Sequence, residues 1–318
     1  MRVVVTGGAG YVGSALVSRL LEEGYSILSV DNLRRGDYKV LEQFREDPRL
    51  KLVVADIRDR TQLEGVVSDF GGEVIFHLAA LPGLQLCNEN PEEAIGVNVL
   101  GTFNVLEVAR RLRIRRVIFS SSAAVYGAPV RLPVDEGHPL RPLNLYGVTK
   151  LAGERLMFLY HENHSLETVV LRFGNVHGVG LFTRDDTVIP KFVKLGLEGK
   201  PLTVYGDGSS SRDFVHLWDI VEAMMLAAEA KTELVAGEVF NIGGETMKIG
   251  DLAKIVVEEV EAATGNPVSV ANLPPRVGET KEFSYSLKKI ERKLGFHPKW
   301  MVRDSIRQLL RYYQRTGI

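Results

Sequence analysis

Arg2-Val-Val-Val-Thr6 runs without a break into Gly7-Gly-Ala-Gly10-Tyr-Val-Gly13. The β-branched apolar run has the make-up of a buried parallel strand. Behind the glycines, Tyr11 to Glu23 carries Val12, Leu16, Leu20 and Leu21 at helical spacing. A strand, a glycine turn and a helix start make an anion site. Small residues let backbone N–H groups approach a pyrophosphate, and the helix dipole favours its charge. About twenty residues on, Ser26-Ile-Leu-Ser-Val30 reads as a second strand ending at Asp31, a carboxylate suited to accept from ribose hydroxyls. A turn that merely joined a strand to a helix would need neither the glycine spacing nor the acid.

Composition narrows the setting. The 318 residues are long enough for one large α/β domain or for one and a half, and 45% hydrophobic with 25% charged is ordinary globular composition. A net charge of −1 gives no overall field toward nucleic acid or an anionic membrane, so neither is expected as a partner. The single cysteine, Cys87, excludes an intrachain disulfide and fits a reducing compartment. Met1 leads straight into a strand and no apolar run approaches bilayer length, so a cytoplasmic enzyme is expected.

Strand and helix patterns then alternate. Strands are expected at 51–54, 74–77, 116–119 and 168–172, with helices over about 60–70, 92–112 and 145–162. Such alternation implies right-handed crossovers and a doubly wound, Rossmann-like parallel sheet, with ligands beyond the carboxyl ends of its strands. From about 176 the elements shorten and turn residues increase. The expected division is a dinucleotide-binding domain over 1–175, to which later segments return, and a smaller, partly interleaved substrate domain over 176–318.

Tyr146-Gly-Val-Thr-Lys150 falls at the start of a helical stretch, where residues four apart share a face, so a phenol and an ammonium can point into one site. A tyrosine near its ordinary pKa of ~10 is a poor base at neutral pH. A cation about 5 Å away, at an effective dielectric of ~20, is worth roughly 3 kcal/mol or about two pKa units. Lys150 is therefore expected to supply most of the shift. Ser120-Ser121-Ser122 ends a strand, and a hydroxyl there can bridge a substrate oxygen and the phenol. Capping a turn is the plainer role for Ser120 and Ser121.

Eleven ordered motifs make the set recognisable: TGGAGYVG at 6–13, DNL at 31–33, ADI at 55–57, HLAA at 77–80, NVLGT at 98–102, SSSAAVYG at 120–127, YGVTK at 146–150, LRFGNVHG at 171–178, RDFVH at 212–216, FNIGG at 240–244 and PRVGE at 275–279. The chain resembles the extended short-chain dehydrogenase/reductase family over most of its length. It is most similar to the nucleotide-sugar epimerase branch and its UDP-glucose (UDP-galactose) 4-epimerases. The resemblance implies NAD as cofactor, a UDP-sugar as substrate and Ser122, Tyr146 and Lys150 as the catalytic group. It implies cofactor contacts from Gly7, Gly10, Tyr11, Val12 and Gly13 at the pyrophosphate, and from Asp31, Asn32, Leu33, Arg34, Arg35 and Gly36 around the adenosine ribose. Asp56 and Ile57 would flank adenine. Leu78, Ala79 and Ala80 would line the strand ends with Asn98 and Ser120, and Phe173 and Gly174 would neighbour the nicotinamide beside Tyr146 and Lys150. On the sugar-nucleotide side it implies Ser122, Tyr146, Asn175, Val188, Thr203, Tyr205 and Arg212, with Arg276 and Glu279 as a diphosphate and ribose clamp. Arginine's forked donors suit a diphosphate. Asp31 would oppose a 2′-phosphate, which favours NAD over NADP, although Arg34 and Arg35 follow it closely.

Two positions discriminate among reactions. Resembling dehydratases carry Asp-Glu directly after the catalytic serine, and this chain has Ala123 and Ala124, neither of which can transfer a proton. Elimination is thus disfavoured, and Cys87 lies in the wrong segment for epimerisations that use a cysteine near the tyrosine. What remains is redox chemistry at C4 of a UDP-hexose through a transient 4-keto sugar. Alternatives are a 4-epimerase of a UDP-uronic acid or UDP-N-acetylhexosamine, a 4-ketoreductase or dehydrogenase, and, in another class, a catalytically silent NAD(P)-sensing or RNA-binding relative. Departures from the family pattern fall at Leu81-Pro-Gly-Leu-Gln-Leu-Cys-Asn88, where a lysine or small polar residues are usual, and at His177, which either touches the sugar or is a satisfied loop histidine. Asp185 and Asp186 have no partners at metal-ligand spacing, so no metal is expected. A homodimer is expected through helices 92–112 and 145–162, with Phe103, Leu106, Leu156 and Leu159 as apolar candidates.

Overall fold

The computed structural model describes residues 1–275 and 281–317. Seven parallel strands form the central sheet: β1 (Arg2–Thr6), β2 (Ser26–Asp31), β3 (Leu50–Val54), β4 (Val74–His77), β5 (Arg116–Ser122), β6 (Glu167–Phe173) and, after three strands placed elsewhere, β10 (Glu238–Ile242). Their spatial order is β3-β2-β1-β4-β5-β6-β10. The chain reverses direction across the sheet between β1 and β4, the place where a doubly wound sheet opens a crevice at its strand ends. Val3, Val4 and Val5 are fully buried, as a strand covered by helices on both faces requires.

The second half builds two smaller sheets. β7 (Asn175–His177) pairs parallel with β9 (Ser211–His216), which pairs antiparallel with β11 (Glu245–Lys248). β8 (Leu202–Tyr205) pairs parallel with β12 (Val270–Leu273). Helices Val188–Leu197, Ile249–Thr264 and Val302–Thr316 pack over them around Phe192, Val256, Ile306 and Leu309. The helix Leu217–Glu229 and β10 return to the core of the large sheet.

The helix expected over 92–112 is not continuous. It runs as Pro91–Ile95, a wider π-turn over Gly96–Gly101, and Thr102–Arg111. The extra residue in that turn carries Asn98 inward, where its side chain takes the Leu81 N–H at 2.7 Å and donates to the Leu81 carbonyl at 3.1 Å and the Thr149 hydroxyl at 3.0 Å. Leu106, offered above as an interface residue, is fully buried in the core because its face turns toward the sheet. Leu159 is exposed, and with Ile95, Leu100 and Phe158 it forms the apolar surface.

Candidate active site

Two adjoining clefts meet at the carboxyl ends of the strands. Pro82, Ser121, Tyr146, Phe173, Val176 and Arg184 line both. The first is built on the glycine turn. Gly7 has φ +76°, and a Cβ on it would lie 2.7 Å from the Ala79 nitrogen; a Cβ on Gly13 would lie 2.0 Å from the Gly7 carbonyl oxygen. Neither position admits a side chain. Gly10 starts the helix Tyr11–Glu22 with extended backbone and no side-chain cap, so the leading N–H groups and the positive end of the dipole face the cleft. At the end of β2, Asp31 accepts from the Ala9 and Leu33 N–H groups at 3.1 and 2.9 Å, which orients its carboxylate. Burial pushes the Asp31 pKa up, against those bonds. Bare backbone donors and an oriented acid fit a dinucleotide.

Most of the expected cofactor contacts line this cleft: Gly7, Gly10, Tyr11, Val12, Gly13, Asp31, Asn32, Arg34, Arg35, Gly36, Asp56, Ile57, Leu78, Ala79, Ala80, Ser120, Tyr146, Lys150 and Phe173. Three do not. Leu33 is absent from its wall, Gly174 lines the second cleft, and the Asn98 amide is consumed by Leu81 and Thr149, so Asn98 fixes the loop after β4 rather than facing a ligand. Asp56 is engaged by Arg58 at 2.9 and 2.7 Å and by Asn32 at 2.9 Å, and its pKa falls to about 2, chiefly through Arg58. Arg34 and Arg35 pair with Glu93 and Asp186, so neither acts as the uncommitted cation that a 2′-phosphate would require.

Ser122, Tyr146 and Lys150 sit where the clefts join, and each serine of β5 has its own partner. The Ser120 carbonyl accepts from Lys150 Nζ at 2.8 Å, Ser121 donates to Glu154 Oε1 at 2.5 Å, and the Ser122 hydroxyl accepts from the Ala124 N–H at 3.2 Å while lying near enough to the Tyr146 phenol to lower its pKa. Tyr146, Lys150 and Glu154 occupy successive turns of the helix Leu145–His164, which puts all three against β5. Asn144 caps that helix by accepting from Gly147 N–H, and Thr149 ties the first turn to Asn98. Behind them, Glu154 and Arg172 form a buried pair at 2.6 and 2.9 Å, and Arg172 also donates to the Tyr126 hydroxyl at 2.7 Å. A buried charge left unpaired costs several kcal/mol, so this pair holds the strand ends in one arrangement.

The ionisation expected from Tyr146-x-x-x-Lys150 needs correction. Burial pushes the phenol up to about 12, and the groups that oppose the rise are the Arg184 guanidinium and the Ser122 hydroxyl. Burial also lowers Lys150 to about 8. Its ammonium is 5.9 Å from the centre of the Tyr146 ring and directs a proton at the Ser120 carbonyl. Desolvation of both groups outweighs the attraction estimated from spacing alone.

The second cleft collects Ser122, Tyr146, Asn175, Val188, Thr203, Tyr205 and Arg212. Alternation along β8 explains two of them: Leu202 and Val204 are buried in the small core, which leaves Thr203 and Tyr205 on the cleft side. Arg276 and Glu279 lie outside the described residues. His177 does not reach the cleft. Its Nδ1 lies 2.6 Å from the Ser305 hydroxyl, in the interior beside His216. Asp185 is held by Lys194 and by the Tyr313 hydroxyl at 2.9 Å, and Asp186 by Arg184. The sequence reading missed Arg184, among the described residues the one cation that lines both clefts and also bears on the phenol. Its neighbours Asp185 and Asp186 drew attention only as possible metal ligands, and nothing local shows that the guanidinium turns inward.

Comparison with known proteins agrees with this geometry. The sequence model of the NAD dependent epimerase/dehydratase family matches residues 3–243, and the chain belongs to that family. Its cofactor is NAD. It is 34% identical over 318 residues to a putative UDP-glucose 4-epimerase of Methanocaldococcus jannaschii, covering 99% of each chain. A UDP-glucuronic acid 4-epimerase of Bacillus cereus, solved with UDP-glucuronic acid and NAD, superposes with a TM-score of 0.89 at 30% identity, covering 99% of this chain and 100% of the other. The dTDP-glucose 4,6-dehydratase DesIV of Streptomyces venezuelae, solved with NAD and TYD, does so equally, with a TM-score of 0.89 at 30% identity over 99% and 97%. The chain is thus an NAD-dependent enzyme of nucleotide sugars.

Proposed function

We propose that this protein interconverts the C4 epimers of a UDP-hexose, UDP-glucose and UDP-galactose, through a transient 4-keto sugar. The observation that carries the reading is a complete Ser122–Tyr146–Lys150 group at the junction of the clefts, followed by Ala123 and Ala124, which supply no acid or base for elimination. NAD, when bound, supplies the acceptor and donor of hydride at C4. Tyr146 takes the proton of the C4 hydroxyl, directly or through Ser122, and returns one when the keto sugar presents its other face. The nucleotide is gripped by Thr203, Tyr205 and Arg212, while the hexose end turns about its diphosphate linkage. Arg184 and Ser122 stabilise the phenolate during that exchange, and Lys150 keeps the Ser120 strand end in register.

Arg184 favours a second reading. A cation at the sugar end also suits a hexose bearing a carboxylate, hence a UDP-uronic acid. Both readings are tested by incubating the purified protein with UDP-galactose and with UDP-glucuronic acid, without added cofactor, and assigning products by NMR. Conversion of UDP-galactose to UDP-glucose supports the first. Turnover of UDP-glucuronic acid alone, lost in Arg184→Met, replaces it with the second. A 4-keto-6-deoxy product overturns both.

A further inference from the structure

The dinucleotide cleft is spanned by contacts between segments distant in sequence. Tyr11, the first residue of the helix behind the glycine turn, donates its phenol proton to the Gly178 carbonyl at 2.6 Å. Arg34 and Arg35 leave β2 for different elements. Arg34 Nη2 lies 2.5 Å from a Glu93 oxygen on the helix Pro91–Ile95, and Arg35 Nη2 lies 3.5 Å from Asp186 Oδ2. Asp186 is gripped from its own loop as well, by Arg184 Nε and Nη2 at 2.8 Å each. Residues 178–186 are therefore tied to the pyrophosphate turn at one end and to the ribose loop at the other. Phe182 and Arg184, between those ties, line the dinucleotide cleft.

We propose that residues 178–186 clasp the bound NAD, with Asp186, braced by Arg184 and joined to Arg35, as the fastening that must open before the dinucleotide leaves. Residues 81–88 carry no charged side chain, so the clasp places retention on residues 178–186. Because its fastening is a half-exposed ion pair, it is sensitive to salt. The inference rests on NAD as cofactor and on no particular sugar.

The test uses the full-length protein loaded with NADH, chased with excess NAD, and follows release by loss of NADH fluorescence in the absence of sugar nucleotide. Asp186→Asn and Arg35→Gln each speed release roughly fivefold at low salt, the upper range for an exposed pair. The double variant releases no faster than the faster single one, because both changes open the same fastening. Wild-type release accelerates with added NaCl, and release from the variants does not. Both side chains are well exposed, 37% for Arg35 and 44% for Asp186, so the variants fold, which their melting temperatures check. Wild-type release from Asp186→Asn overturns the clasp. So does an additive double variant, which would mean that Arg35 holds the dinucleotide by itself. Failure of C4 epimerisation would leave these rates untouched.

Discussion

At the scale of single residues, the proposed chemistry depends on a phenol that the protein makes hard to ionise. Tyr146→Phe keeps the ring and removes the oxygen, so turnover falls by at least ~10³-fold while NAD stays bound, checked by steady-state rates and by the absorbance of the protein-bound cofactor. Lys150 has been lowered to about 8 by burial, so it loses its proton just above neutral pH. kcat/KM is accordingly expected to decline above about pH 8, and in Lys150→Met that alkaline limb disappears along with most of the activity. The Tyr146-x-x-x-Lys150 spacing was legible because helical periodicity fixes which residues share a face. The energetic role given to Lys150 was not legible, because desolvation depends on what surrounds both groups. Arg184 shows the same limit from the other side: a long side chain whose direction is set by Asp186 and by the loop that carries both.

At the scale of elements, the glycine turn, β2 with Asp31 and the 145–164 helix could be read directly, since each has a local signature in spacing or composition. The π-turn at Gly96–Gly101 could not. Its cause is a single tertiary demand, the seating of Asn98 on both polar groups of Leu81. Asn98→Ala leaves the Leu81 N–H unpaired and its carbonyl with the Cys87 thiol alone, and is expected to cost about 1–3 kcal/mol, measured by denaturant unfolding, with weakened NAD binding as the loop after β4 loosens. A second element-scale device joins β7 and β9 to the last helix. His177 meets Ser305, and His216 lies 3.2 Å from Gln308 and stacks on Trp300 at 4.7 Å. Burial lowers His177 to about 3 and His216 to about 4, the latter against the opposing pull of Gln308 and Asp304. A histidine with depressed folded pKa is neutral in the fold while the unfolded chain, near pKa ~6.5, takes a proton, so stability is full above that value and falls as pH drops through the window toward 4. The loss is about 2 kcal/mol for each histidine by pH 5, read from urea midpoints at pH 7.5 and 5.

At the scale of the whole molecule, the parallel sheet and a partly interleaved second half could both be expected from the pattern of elements, whereas the pairing of the short strands in that second half could not. β7, β9 and β11 are short, and their pairing is set by contacts far apart in sequence. Ile95, Leu100, Phe158 and Leu159 leave an apolar surface on the helix Pro91–Ile95, the π-turn Gly96–Gly101 and the helix Leu145–His164. We propose that a second copy covers it; Phe158→Glu with Leu159→Lys is expected to convert a dimer to a monomer in sedimentation velocity, and a wild-type monomer would contradict this. Among the described residues no helix is long and apolar enough to cross a membrane. The central claim is that one carbon, C4, is oxidised and reduced again within a single site. It is tested most directly by supplying UDP-galactose deuterated at C4 and recording the product by NMR and mass spectrometry. The account predicts UDP-glucose that keeps the deuterium at C4 with no exchange into solvent. Deuterium washed into water, or moved to C6 of a dehydrated sugar, would contradict it.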